Sequence, residues 1–75
     1  METKRTWLKQ YRHLKGYNQD QVARQVDIKR SYYNMIENGK RNPSTKVAKN
    51  IADYLQFDWT IFFEHECNDV KQNVL

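Results

Sequence analysis

The sequence predicts an all-α domain built from five short helices. Its 75 residues suffice for a single domain. Apolar residues recur three and four positions apart, the spacing of one helical face. The glycines and the proline, Gly16, Gly39 and Pro43, fall where helices would end or begin. We therefore expect a helical domain over residues 1–67, followed by a polar and flexible C-terminal tail, residues 68–75.

The first helix is expected at about residues 6–15. Its apolar stripe consists of Trp7, Leu8, Tyr11 and Leu14. Gly16 follows the stripe and suits the left-handed conformation that closes many helices at their C-terminus. The stripe therefore predicts that one side of this helix packs into the core.

The second and third helices are expected at about residues 19–26 and 30–37. Asn18 is suited to N-cap the second helix, because Gln21 follows three residues later and completes a capping box. The expected core residues are Val22, Ala23 and Val26 in the second helix and Tyr33 and Ile36 in the third. Only about three residues connect the two helices, so they must cross steeply. Residues 18–37 therefore predict a helix-turn-helix.

The fourth helix is expected at about residues 45–55 and the fifth at about 59–64, with Ser44 and Asp58 as N-caps. The expected core residues of the fourth helix are Val47 or Ala48, Ile51, Ala52 and Leu55. The fifth helix belongs to a cluster of large apolar residues, namely Phe57, Trp59, Ile61, Phe62 and Phe63. Either this cluster only completes the core, or part of it is an exposed interface. The candidate interface consists of Trp59, Ile61 and Phe62.

Charge is divided unevenly along the chain. Residues 1–49 hold twelve Lys and Arg against four acidic residues, whereas residues 50–75 hold one Lys against five acidic residues. A basic surface suits a polyanion such as nucleic acid. Small proteins often carry uneven charge, so this observation alone leaves both interpretations open.

Other functional classes lack the residues they need. Cys67 is the single cysteine, so no intramolecular disulfide can form and a reducing cytoplasm is expected. No apolar run is long enough to span a bilayer, and no secretory signal is evident. His65, Glu66 and Cys67 provide too few ligands for a structural metal site. No catalytic constellation or phosphate-binding glycine loop is present, so we expect neither enzyme activity nor a cofactor, metal or small-molecule ligand.

Several segments together resemble the Cro/CI-type helix-turn-helix family, also called the XRE family. They are Leu8–Arg12, Gly16–Gln19, Val22–Ala23, Ile28 and, most specifically, the run Ile36–Ser44. The resemblance covers about residues 7–63 and implies a five-helix fold like that of the lambda repressor DNA-binding domain. It also implies a double-stranded DNA operator as partner. A homodimer on a two-fold-symmetric site is a further possibility, with Trp59, Ile61 and Phe62 as its candidate dimer surface.

The resemblance places the third helix in the DNA major groove. The positions it assigns to base contact are Lys29, Arg30, Ser31, Asn34 and Met35. Arg30 has the geometry to donate two hydrogen bonds to guanine, and Asn34 to pair with adenine. The positions assigned to the DNA backbone are Gln19, Tyr32, Asn38, Lys40 and Arg41.

Arg12 and Glu37 match a pair that forms a salt bridge in the family. This pair either orients the third helix for DNA binding or simply supports packing. Two residues depart from the family pattern. Asp27 stands where glycine is usual in the turn, and Lys29 stands where a small polar residue usually caps the third helix.

The expected function is that of a short bacterial or phage transcriptional regulator, a repressor, without a second domain. Two alternatives remain. One is an antitoxin-like regulator whose acidic, aromatic C-terminal half also binds a toxin protein. The other is a protein-interaction module that keeps the fold but has lost DNA binding.

Overall fold

The computed structural model describes residues 4–64 of the chain. Four helices are α1 (Thr6–Leu14), α2 (Gln19–Gln25), α3 (Arg30–Glu37) and α4 (Thr45–Leu55). A fifth helix, α5, is described at residues 61–64, and residues 59–60 before it form a turn. The predicted all-α fold of five helices is confirmed. The observed bounds of α1 to α4 agree with the expected ones within one residue, whereas α5 begins two residues later than expected.

The core collects the inward side chains of all five helices. Its residues are Leu8, Val22, Ala23, Val26, Tyr33, Ile36, Ala48, Ile51, Leu55 and Phe62. Every apolar residue expected in the core of α2, α3 and α4 is buried, and at the open choice in α4 the buried residue is Ala48. The core therefore lies where helical periodicity placed it.

The expectation for Leu14 is wrong, because 81% of this residue is exposed. The buried face of α1 is set by Leu8 and Arg12, which lie one turn apart. Leu14 projects away from that face and instead lines a surface groove with Trp7, Gln10 and Tyr11. The last apolar residue of the α1 stripe therefore lies outside the core.

Side-chain caps begin α2 and α4, and a similar hydrogen bond closes the turn that leads into α5. The Asn18 carboxamide oxygen accepts a hydrogen bond from the Gln21 backbone N–H at 2.8 Å, and the Gln21 side chain accepts one from the Asn18 N–H at 2.8 Å, which completes the capping box. Ser44 accepts from the Val47 N–H at 3.2 Å, and Asp58 accepts from the Thr60 N–H at 3.0 Å before α5.

Left-handed residues end the helices. Gly16 and Gly39 follow α1 and α3 with φ of 76° and 74°. Asp27 follows α2 with φ of 62°, so the aspartate adopts the conformation that the family usually assigns to glycine. Its N–H donates to Arg24 O and the next N–H, that of Ile28, donates to Ala23 O, the pair of bonds of a Schellman motif. Gln56 closes α4 in the same left-handed region, which sequence reasoning did not anticipate.

Phe62 belongs to the core and not to an exposed dimer surface. It is 1% exposed, and its ring contacts those of Trp7 and Phe57 with centroids 5.2 and 5.7 Å away. The expectation for Phe62 is therefore wrong, since it is the residue through which α5 attaches to α1. Trp59 and Ile61 are half-buried.

Some expectations fall on residues outside 4–64. The proposed tail, residues 68–75, and the weak metal-ligand motif at residues 65–67 lie outside the described residues. The boundary at residue 67 likewise stays a prediction. Within the described part, no helix has the length and apolar character needed to cross a membrane.

Candidate nucleic-acid interface

Helices α2 and α3 form the predicted helix-turn-helix. Ala23 of α2 is completely buried in the core, and the turn residue Ile28 packs against the core. On α3, Tyr33 and Ile36 are also completely buried. Because these two residues hold one face of α3 in the core, the opposite face of the helix is directed outward.

An open groove runs beside the outward face of α3. It is lined by Gln19, Arg30, Ser31, Asn34 and Met35. Four of the five residues expected to contact bases thus share one surface with Gln19. Lys29 is exposed at the N-cap of α3 but does not line this groove, and its side chain makes no capping hydrogen bond.

A buried ion pair lies beneath the groove. Arg12 Nε and Nη2 donate to the Glu37 carboxylate at 2.6 and 3.2 Å, and both residues are nearly inaccessible to solvent. Arg12 Nη1 also donates to Tyr17 O at 3.0 Å. The pair fixes the end of α3 to α1 at two atoms, which gives it orientation as well as attraction.

The Glu37 carboxylate stays ionised. Burial by itself would raise the pKa of Glu37, but the interactions with Arg12, Tyr33 and Gln19 outweigh burial and hold this pKa below its ordinary value. Burial raises the pKa of Tyr33, and the adjacent carboxylate adds to that effect. The Tyr33 hydroxyl lies close to the carboxylate but has no partner in hydrogen-bond geometry among the described residues.

A chain of three amide side chains connects the ion pair to the groove. Gln19 Nε2 donates to Glu37 at 3.0 Å, Asn34 Nδ2 donates to Gln19 Oε1 at 3.1 Å, and Asn38 Nδ2 donates to Asn34 Oδ1 at 3.0 Å. An ionised carboxylate only accepts hydrogen bonds. The Gln19 amide must therefore turn its NH₂ group toward Glu37, and this choice fixes the orientation of Asn34 in turn.

Asn34 keeps hydrogen-bonding capacity for a ligand. A carboxamide has two N–H donors and two acceptor lone pairs. The contacts with Gln19 and Asn38 use one donor and one acceptor, which leaves one of each on an exposed side chain. One donor and one acceptor are what the major-groove edge of adenine requires.

The basic loop after α3 has a fixed backbone. Gly39 N–H donates to Ile36 O at 3.2 Å and Lys40 N–H donates to Met35 O at 2.9 Å, a Schellman motif. The side chains of Lys40 and Arg41 are exposed. The Arg41 guanidinium lies 5.9 Å from the centroid of the Tyr32 ring, a cation–π contact. Tyr32 is half-buried, since it also packs against the core.

Sequence reasoning missed a second cleft that continues the groove toward α1. It shares Gln19 and Asn34 with the groove, and its lining adds Lys4, Arg5, Thr6, Lys9, Glu37 and Asn38. Lys4 and Lys9 are exposed. The excess of basic residues in the first half of the chain was the available signal, but it did not indicate which lysines would lie beside α3.

Arg5 was also missed, and it is buried. Its guanidinium contacts three groups that lie 31 to 37 positions away in the chain. No local sequence motif indicates hydrogen-bond partners so far away in the chain. The sequence therefore gave no indication that Arg5 would be buried.

A concave surface elsewhere on the molecule has a different character. It is lined by Gln25, Val26, Asp27, Asn50, Asp53 and Tyr54. Two of these residues are acidic and none is basic, so this surface would repel a polyanion. The groove beside α3, which is lined by Arg30, and the cleft that continues it therefore suit DNA better than this acidic surface does.

The closely connected pair α2–α3, with its polar and basic outer face, is the architecture of a helix-turn-helix domain. The comparison with known families agrees, since residues 8–62 match the model of a helix-turn-helix family. The chain belongs to the XRE family of helix-turn-helix proteins.

Several relatives carry names of the same kind. YqaF of Bacillus subtilis strain 168, an HTH-type transcriptional regulator by name, is 55% identical over 69 residues, which are 92% of this chain and 91% of YqaF. Two HTH-type transcriptional regulators of Archaeoglobus fulgidus are 35% and 38% identical over 48 residues, which are 64% of this chain and 69% and 68% of theirs. No solved structure matched the chain.

Proposed function

We propose that this protein is a sequence-specific transcriptional regulator, a repressor, that places the outward face of α3 in the major groove of its operator. The observation that carries the proposal is the groove in which Arg30, Ser31, Asn34 and Met35 lie together. Family membership and the name of the relative YqaF support a role in transcription.

Two residues of α3 are assigned to particular bases. Arg30 donates two hydrogen bonds to guanine, and Asn34 uses its remaining donor and acceptor on adenine. The two residues are four positions apart, about 6 Å along a helix, and base pairs are spaced about 3.4 Å apart. The assigned bases therefore lie within about two steps of each other. Lys29, Ser31 and Met35 contact bases beside them.

The flanking polar residues are assigned to phosphates. Lys40 and Arg41 provide charge, while Gln19, Asn38 and Tyr32 provide neutral contacts that fix the register of α3 on the duplex. Lys4 and Lys9 extend this basic surface along α1. Because each neutralised phosphate releases counterions, binding should weaken steeply as salt concentration rises.

The groove assignment is tested with DNA from the neighbourhood of the protein's own gene and with a randomised duplex library. Arg30→Ala and Asn34→Ala should each lower affinity for the selected site and relax the base preference at one position, by about 1–3 kcal/mol. Arg24→Ala is the matched control, because it removes the same charge from an exposed position on α2 outside the groove lining.

Unchanged affinity in both groove variants would reject the assignment of bases to α3. A parent protein that prefers no sequence over random duplex would reject sequence-specific regulation altogether. A parent protein that binds no duplex at all would instead support the alternative of a protein-interaction module without DNA binding.

We further propose that the regulator acts as a homodimer through Trp59 and Ile61, since two-fold-symmetric operators are typical of such domains. Both residues are half-buried, and Lys49 Nζ lies 4.9 Å from the centroid of the Trp59 ring. Phe62 is excluded from this surface by its burial. The alternative of a toxin-binding aromatic half has less support, because much of the aromatic cluster is packed inward.

A further inference from the structure

Arg5 is held at the junction of three parts of the molecule. It is 7% exposed. Its Nη1 donates to Ile36 O at 2.7 Å and to Arg41 O at 3.2 Å, and its Nη2 donates to Asn42 Oδ1 at 2.7 Å. Its backbone N–H donates to Glu37 O at 2.8 Å. One residue before α1 therefore binds both the end of α3 and the basic loop.

The contacts of Arg5 suit the end of a helix. The last carbonyl groups of a helix have no N–H partner from the next turn, and a positive charge near them is favoured by the helix dipole. Arg5 supplies a backbone N–H to Glu37 O and a guanidinium to Ile36 O. It thus acts as a tertiary cap of α3 from a distant part of the chain.

The peptide groups on both sides of Arg41 are hydrogen-bonded, one of them to Arg5 and the other to Met35. The Arg41 N–H donates to Met35 O at 3.3 Å, whereas the Arg41 carbonyl accepts from Arg5. With its N–H and its carbonyl both bound, Arg41 has little backbone freedom, and the orientation of its side chain depends on its own rotamer and on Tyr32.

A lysine could not replace Arg5 in this role. The guanidinium is a planar group whose separate nitrogens contact two carbonyls and one amide oxygen at once, whereas an ammonium is a single point charge. The guanidinium of Arg5 also makes a cation–π contact, since its central carbon lies 5.6 Å from the centroid of the Phe62 ring.

We propose that Arg5 is a positioning residue for phosphate binding: it holds the loop of residues 40–42 against α3 so that Lys40 and Arg41 reach the DNA backbone together. The proposal rests on the DNA-binding function proposed above. Its readout is the slope of log K against log salt, because this slope reports the number of neutralised phosphates and not the stability of the protein.

The test compares Arg5→Lys with the parent on a random duplex, at several salt concentrations. Net charge is unchanged, yet the slope should become smaller by about 0.9 for each phosphate that the loop no longer neutralises, up to about two phosphates. Arg24→Lys, the same replacement at an exposed site on α2, should leave the slope unchanged. A lower melting temperature with an unchanged slope for Arg5→Lys would mean that Arg5 is only structural, and would overturn the proposal.

A second variant covers the case in which Arg5→Lys does not fold. Asn42→Ala removes one partner of Arg5 from an exposed position, so the core stays intact, and the slope should again become smaller. Hydrogen exchange at the Arg41 amide of the free protein should accelerate in either variant. This measurement needs no DNA. An unchanged exchange rate at the Arg41 amide would overturn the positioning role of Arg5. Absence of sequence preference in the parent would instead reject sequence-specific regulation and leave this test in force.

Discussion

The Glu37 carboxylate is shared by groups from three helices. It accepts hydrogen bonds from Arg12 of α1 and Gln19 of α2, and it lies beside Tyr33 of its own helix. A buried charge of this kind is satisfied only when every partner is present, because desolvation penalises the ionised form. The position of α3 therefore depends on a few atoms around this carboxylate.

Arg12→Met should lower the free energy of unfolding by about 3–5 kcal/mol, because it leaves Glu37 charged and unpaired in the core. The double variant Arg12→Met with Glu37→Met should lose less than Arg12→Met alone. Urea denaturation of the two single variants and the double variant measures the coupling. Arg24→Met, which breaks an exposed pair with Asp20, is the control and should cost less than about 1 kcal/mol. If the double variant lost as much stability as the two single variants together, the coupling between Arg12 and Glu37 would be contradicted.

Glu37 also predicts how stability depends on pH. Its pKa is lower in the folded protein than in the unfolded chain, so the stability that it contributes is present above the unfolded value, about 4.3, and is lost as pH falls through the folded value. Urea unfolding between pH 7 and pH 3 should therefore show stability falling below about pH 4. Asp58, whose pKa is also lowered, by the Thr60 hydroxyl and N–H, adds to the same trend. Glu37→Gln should flatten the curve more than Asp58→Asn.

At the scale of elements, the turn between α2 and α3 contains an unfavourable residue. Asp27 is left-handed, with φ of 62°, and its negative charge lies near the C-terminus of α2, where the helix dipole disfavours it. Glycine reaches the same conformation without this steric cost.

Asp27→Gly should therefore stabilise the protein by about 0.5–1 kcal/mol and raise the melting temperature by about 2–8 °C. Calorimetry measures the shift. Asp53→Gly, in the regular helix α4, is a control of opposite sign, because glycine inside a helix is destabilising. A lower melting temperature for Asp27→Gly would show that the aspartate has a stabilising contact in the turn.

The elements differed in how well the sequence predicted them. Helix ends were predicted well where the signal is local, as in the Asn18–Gln21 capping box or the glycines after α1 and α3. The apolar pattern did not predict that Leu14 would be exposed. The buried face of α1 includes the charged residue Arg12, which an apolar pattern does not mark as buried. The contacts of Arg5 depend on the assembled fold. The family resemblance predicted the groove residues. The hydrogen bonds among Gln19, Asn34 and Asn38 could not be predicted from the sequence, because they depend on how α2 and α3 pack together.

At the scale of the whole molecule, the proposed DNA surface and the proposed dimer surface use different elements. The first consists of the outward face of α3 with the loop after it, and the second lies at Trp59 and Ile61. Two copies related by a two-fold axis would present their α3 helices to half-sites about one DNA turn apart, roughly 34 Å.

Ile61→Glu should weaken self-association, because it places a charge in an apolar contact, while the fold persists since Ile61 is only half-buried. Sedimentation of the variant and the parent at several concentrations measures the effect. Leu14→Glu, which changes the large apolar residue that is most exposed within residues 4–64, is the control and should leave the mass unchanged. Equal masses of Ile61→Glu and the parent would eliminate this surface, and a lower mass for Leu14→Glu would point to α1 instead.

The chain of amides from Gln19 to Asn34 and Asn38 has a consequence for the thermodynamics of recognition. Ordering a mobile side chain at an interface costs about 0.5–1.5 kcal/mol in lost rotamer entropy. These three side chains already hold each other in the free protein, so most of that loss has been incurred during folding. Binding should therefore carry a smaller entropic penalty at Asn34 than an isolated asparagine would incur. To pair with a base edge of a different donor and acceptor pattern, Asn34 would have to rotate. That rotation would break hydrogen bonds that Asn34 already makes in the free protein.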